Sequence, residues 1–224
     1  MRKDLTEVVF ILDKSGSMSG LEADTIGGFN SLIAKQKKED GEAYISTVLF
    51  DDKTEVLHDR VPISKVEPMT DKQYYVGGCT ALLDAMGSSI RHIANIHKYA
   101  REEDRPEKTL FIITTDGMEN SSHIYSYDSV KKMVEEEKGK YGWEFLFLGA
   151  NIDAIEVAGR FGIAPGRAVN YECDSAGTRL NYNALSETVS VMRSAKSKEE
   201  RDCMIDGCLA SIREDYKKRH KRGA

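Results

Sequence analysis

Apolar runs too short to be helices recur along the chain, and stretches of helical period lie between them. Thr6–Asp13 is the first, with Val8–Leu12 uninterruptedly apolar and a carboxylate at its end. Its length and β-branching predict a buried strand. From Leu21 to about Lys38 the period changes, and Ile26, Phe29, Leu32 and Ile33 share one helical face. Ala43–Phe50 alternates as a second strand, Asp51-Asp52-Lys53 reads as a turn, and Thr54–Leu57 returns as a third. That spacing predicts an antiparallel hairpin. The same reading gives a helix over Thr80–Tyr99, a strand over Thr109–Thr114, a helix over Ser126–Glu137 and a strand over Trp143–Leu148. It then gives a short helix over Asp153–Phe161, a strand over Arg167–Tyr171, a helix over Thr178–Arg193 and a last helix from Ser197 onward. Strands alternating with helices imply an α/β fold with a mainly parallel sheet.

With 224 residues, the chain is long enough for one large domain or two small ones. No Pro-, Gly- or Ser-rich linker divides it, so one domain over 1–195 and a helical extension over 196–224 are expected. Hydrophobic residues make up 40% and charged residues 31%, as in a soluble globular protein. The net charge of -5 argues against a generally basic nucleic-acid binder. The extension differs: nine Lys/Arg against six Asp/Glu give it a surplus of three positive charges. Its basic cluster, Tyr216–Arg222, reads first as a solvated helix end, and weak contact with a polyanion is the one nucleic-acid role left open. The first apolar run has five residues, too few for a signal peptide, and no run approaches the ~20 that span a bilayer. Cys79, Cys173, Cys203 and Cys208 form neither a CxxC pair nor a Cys/His cluster. Reduced thiols in a cytoplasmic protein with no membrane contact are the expectation.

In sheets of this kind ligands bind beyond the carboxyl ends of the strands. Those ends carry Asp13-Lys14-Ser15-Gly16-Ser17 after the first strand, Thr80 behind Gly77-Gly78-Cys79, Asp116-Gly117 after the fourth strand, and Asn151 after the fifth. If the first loop is near-extended, Asp13, Ser15 and Ser17 point the same way and Lys14 points away. Thr80 and Asp116 would complete a cluster of hard oxygen donors, suited to Mg²⁺ or Mn²⁺ rather than Zn²⁺. With only two carboxylates in the set, a cation held partly through water keeps excess positive charge and an open position. An outside carboxylate would fill it.

The segment Val8–Met18 resembles the first motif of von Willebrand factor type A (VWA) domains. Gly77-Gly-Cys-Thr80-Ala-Leu-Leu-Asp-Ala85 resembles their threonine motif, and Ile112-Ile-Thr-Thr-Asp116-Gly117 their second aspartate motif. Together the three are similar to a complete metal-ion-dependent adhesion site (MIDAS), over roughly Thr6–Arg193, in the manner of small stand-alone prokaryotic members. The resemblance implies a Rossmann-like, doubly wound sheet of six strands ordered 3-2-1-4-5-6, with strand 3 antiparallel. It also implies metal binding by Asp13, Ser15, Ser17, Thr80 and Asp116.

Other chemistries are poorly supported. A dehalogenase-type phosphatase would want a carboxylate where Ser15 stands, and no P-loop motif is present. Gly27-Gly28 falls inside a helical pattern, not a dinucleotide fingerprint, and no histidine motif accompanies Ser15 or Ser17. A non-enzymatic, metal-dependent module that accepts the Asp or Glu of a protein partner is therefore expected. The alternatives are a Mg²⁺-dependent phosphoester hydrolase, with Glu119 its only nominee as general base, and a scaffold whose ion is merely structural.

Overall fold

The computed structural model describes residues 1–221. Six strands form one sheet: β1 (Arg2–Asp13), β2 (Glu42–Phe50), β3 (Thr54–Pro62), β4 (Pro106–Thr115), β5 (Glu144–Gly149) and β6 (Ala168–Asn170). Their order is β3-β2-β1-β4-β5-β6. Only β3 runs antiparallel, paired with β2, and every other neighbouring pair is parallel. The helices are α1 (Glu22–Gln36), α2 (Leu82–Tyr99), α3 (Tyr127–Tyr141), α4 (Ala154–Arg160), α5 (Ser175–Ser194) and α6 (Lys198–Lys221). Arg222, the last residue of the basic cluster, lies outside the described residues.

Side chains alternate along each strand, so the two sheet faces carry separate cores. Val8, Phe10 and Leu12 of β1 face Phe29 of α1, Leu185 and Val189 of α5, and Ile205, Leu209 and Ile212 of α6. Val9 and Ile11 face the opposite layer, where α2, α3 and α4 contribute Met86, Ile90, Val130, Val134 and Ala158. The central strands β1 and β4 are covered on both faces, which is why they read as continuous apolar runs.

Composition changes at residue 196, but the core does not end there. Residues 195–197 connect α5 to α6, and α6 buries Arg201, Ile205, Leu209 and Ile212. Arg201 pairs with Glu144 of β5 at 3.1 Å, and Arg167 reaches Asp202 at 2.7 Å and Asp206 at 3.0 Å. At the basic end of α6, Lys217, Lys218 and Lys221 are exposed, and Arg219 is anchored. Arg219 bonds Asp174 at 2.5 Å and Asp215 at 2.9 Å.

At the other end of the sheet, the amino ends of the strands, Glu7 is fully buried in β1. Arg60 grips both of its oxygens, at 2.6 and 3.2 Å, and His97 of α2 approaches one at 2.6 Å. Arg60 adopts a left-handed backbone (φ 49°) next to a register irregularity between β2 and β3. The irregularity turns its side chain inward toward β1.

Candidate metal centre

Parallel pairing in register brings the ends of β1 and β4 side by side. Leu12 stands opposite Thr114, so Asp13 emerges next to Thr115 and one residue short of Asp116. The loop after Asp13 is not near-extended. Gly16–Met18 form a single 3₁₀ turn, entered from Ser15 in an extended conformation. This turn, rather than strand alternation, gathers the hydroxyls. Ser15 Oγ and Ser17 Oγ are 3.1 Å apart, and Ser17 Oγ donates to Asp116 Oδ1.

Thr80 sits just ahead of α2, whose N-cap is Ala81. It is held by an exchange with Asn120: Thr80 N–H donates to Asn120 Oδ1 at 2.9 Å, and Asn120 N–H donates to the Thr80 carbonyl at 3.0 Å. Gly117 marks the point of convergence. A Cβ there would lie 3.3 Å from Ser17 Oγ and 3.4 Å from Thr80 Oγ1. Asp13, Ser15, Thr80 and Asp116 are buried, and Ser17 is exposed at the mouth.

Asp13 is bound on both oxygens. Ser15 N–H donates to Oδ1 at 2.7 Å and Thr115 Oγ1 donates to Oδ2 at 2.6 Å. Burial pushes its carboxyl above the usual range. The bonds from Ser15 and Thr115 oppose that, and the charge of Asp116 adds to it. Two buried carboxylates whose charges oppose each other form an arrangement that a cation relieves.

Lys14 points away from the cluster. Its ammonium lies 3.3 Å from Asp51, 3.4 Å from Glu55 and 4.1 Å from the centre of the Tyr75 ring. Tyr74 is buried, and its hydroxyl donates to the Asp13 carbonyl at 2.6 Å, fixing the strand end from below. Glu119 is a capping residue. Its carboxylate accepts from the backbone N–H of Leu83, Ser121 and Ser122 at 2.7–2.9 Å, and from Ser122 Oγ at 2.8 Å.

Sequence reasoning missed Thr115 and Cys173. Cys173 Sγ donates to Asp116 Oδ2 at 3.4 Å. Burial and then Asp116 push its thiol up to about 12, so at neutral pH it is a donor. All four cysteines are free. Among the described residues no three His, Cys, Asp or Glu side chains gather so as to hold a metal by themselves. An ion here would need the hydroxyls beside Asp13 and Asp116.

No protein-family model matches the sequence, and no curated protein matches it. Solved structures do. The von Willebrand factor type A structure from Catenulispora acidiphila has a TM-score of 0.51 at 15% identity, covering 81% of this chain and 42% of that one. The vWF domain of the type V pili tip protein Mfa5 from Porphyromonas gingivalis has a TM-score of 0.56 at 9% identity, covering 87% and 98%. Proximal thread matrix protein 1 from the mussel byssus, with a zinc-occupied MIDAS motif, has a TM-score of 0.50 at 17% identity, covering 91% and 46%. This chain spans less than half the length of the first solved structures it matches. The likeness is one of fold: the expected strand order and the antiparallel β3 are those of a von Willebrand A-like, Rossmann-like sheet.

Proposed function

We propose that the chain is a non-enzymatic protein-interaction module whose metal centre is formed by Asp13, Ser15, Ser17, Thr80 and Asp116. A divalent cation, Mg²⁺ or Mn²⁺, would supply positive charge and an open coordination position there for a partner's Asp or Glu. The observation that carries this reading is the convergence of Ser17, Thr80 and Asp116 around Gly117, at the carboxyl ends of the two central strands. The residues fit a hard cation, because the two carboxylates are close and buried and the remaining donors are neutral hydroxyls. The zinc-occupied motif of the mussel protein supports a divalent ion on this fold.

Each side chain has a task. Tyr74 and Thr115 orient Asp13, the 3₁₀ turn presents Ser15 and Ser17, and Asn120 anchors Thr80. The hydrolase alternative is weakened by Glu119, whose carboxylate is taken up by backbone amides and is not free to act as a base. Free thiols support the cytoplasm as its location. No helix among the described residues is long and apolar enough to cross a membrane.

The test is calorimetric titration of Mn²⁺ and Mg²⁺ into the wild type, Asp13→Ala and Asp116→Ala. It is paired with capture of partners from the native host in Mg²⁺ or EDTA. Binding lost in both variants, with their circular dichroism unchanged, and a partner recovered only with Mg²⁺ are expected. Unchanged Mn²⁺ affinity in the variants would remove the metal centre. Turnover of phosphoesters that disappears in Asp13→Ala would favour the hydrolase.

A further inference from the structure

Asp116 lies where three segments distant in sequence meet, and both of its carboxylate oxygens are engaged. Ser17 Oγ donates to Oδ1 from the β1 loop, and Cys173 Sγ donates to Oδ2 from the segment after β6. The two contacts lie on opposite oxygens, so together they set the rotation of the carboxylate about its Cβ–Cγ bond.

The thiol is itself held in place. Tyr171 N–H donates to the Gly149 carbonyl at 3.0 Å, which joins the chain just before Cys173 to the end of β5. The next residue, Asp174, caps α5 by accepting from Gly177 N–H at 2.7 Å and takes Arg219 of α6 at 2.5 Å. Between these anchors the backbone packs against the first turn of α5 so closely that a Cβ on Gly177 would come within 2.0 Å of the Glu172 carbonyl. Asn151, just past the end of β5, also approaches Asp116. It adopts a left-handed backbone (φ 56°), and its side-chain amide reaches the Asp116 carbonyl at 3.5 Å. A left-handed conformation in a non-glycine residue is uncommon and is tolerated best by Asn.

We propose that Cys173 is a positioning residue of the metal centre. Its thiol fixes Asp116 Oδ2 and thereby keeps Oδ1 turned toward Ser17, without itself ligating the ion. The proposal rests on the reading of Asp13, Ser15, Ser17, Thr80 and Asp116 as that centre. Residues that orient a ligating carboxylate from outside the coordination sphere matter because a freely rotating ligand must be ordered each time the ion binds. Alanine at 173 removes the donor. Serine keeps a donor in a smaller side chain, and valine keeps the bulk without one.

The test is calorimetric Mn²⁺ affinity for the wild type, Cys173→Ala, Cys173→Ser and Cys173→Val, with Asp13→Ala as the blank. The expected result is an affinity about 10–100-fold weaker for Cys173→Ala and Cys173→Val, with most of it restored in Cys173→Ser. A packing role predicts the reverse order, valine close to wild type and serine weakened, and that order would overturn the proposal. Equal affinities across the series would also overturn it while leaving the metal centre standing. Failure of the wild type to bind Mn²⁺ would remove the centre and the role of Cys173 together. The Co²⁺ form gives an independent readout: a sulfur-to-cobalt charge-transfer band that vanishes in Cys173→Ser would make the thiol a direct ligand and refute positioning. The absence of that band is the expected result.

Discussion

Leu209 of α6 has no exposed surface and lies in the core that also holds Ile205, Ile212, Leu185 and Met192. Its truncation to alanine removes about three methylene equivalents, worth roughly 2.4 kcal/mol of transfer free energy at ~0.8 each. The cavity left behind adds to this, so about 3–4 kcal/mol is expected. For a chain of this length each kcal/mol lowers the melting temperature by roughly 2–4 °C, giving a fall of about 6–16 °C. Trp143, the single tryptophan, reports on the question from a distance. It is buried on the opposite sheet face, stacked on Phe111 with ring centres 5.3 Å apart. If α6 belongs to the same cooperative unit, Trp143 fluorescence and far-UV circular dichroism should report one transition, shifted together in Leu209→Ala. Met204→Ala, at an exposed position on the same helix, should stay within about 0.5 kcal/mol of wild type. A Trp143 transition unmoved to within about a degree in Leu209→Ala would refute the argument. It would leave α6 as an appendage to residues 1–195.

Replacing Glu7 by alanine strands Arg60 without its buried partner, and a loss of about 3–5 kcal/mol is expected in urea unfolding. Gly28→Ala places a Cβ 2.3 Å from the Tyr182 ring at the α1–α5 contact, so a loss of about 1–3 kcal/mol should appear in the same assay. Glu137 is buried with one oxygen unpartnered, and burial raises its carboxyl from 4.5 to about 7. Because the folded value is the higher one, its contribution is intact below pH 4.5 and is lost as pH rises through about 7. Glu137→Gln should therefore flatten the decline of melting temperature across that window and melt higher than wild type above it.

The central strands, the hairpin and the strand ends could all be read from the chain because each is a local pattern. The boundaries that differ have lateral causes. β1 begins at Arg2 rather than Thr6 because Arg2 N–H donates to the Arg105 carbonyl at 2.7 Å, a contact without apolar periodicity. β3 continues to Pro62 through residues that are mostly polar or exposed, as an edge strand can. The oxygen donors were visible as motifs, but their supports were not. Tyr74 lies 61 residues from Asp13 and Cys173 lies 57 from Asp116, and no spacing rule joins such positions. The loop departs from the extended geometry because alternation applies to strands, whereas Ser15–Met18 turn on their own hydrogen bonds, Met18 N–H to the Ser15 carbonyl at 3.0 Å among them.

The pairing of β1 with β4 also limits where this chain can lengthen. Asp13 reaches Thr115 only because Leu12 stands opposite Thr114 and the pairing is unbroken from Thr6 onward. Since side chains in a strand alternate between faces, one residue inserted between Val8 and Leu12 would move the β1 residues beyond it to the opposite faces and swing Asp13 to the wrong side of the sheet. An insertion among the exposed residues 101–104, ahead of β4, disturbs neither register nor strand end. Drift in length is thus confined to the amino-terminal rim and the helix connections. The carboxyl-terminal rim is held by the ladder itself to a fixed count of residues.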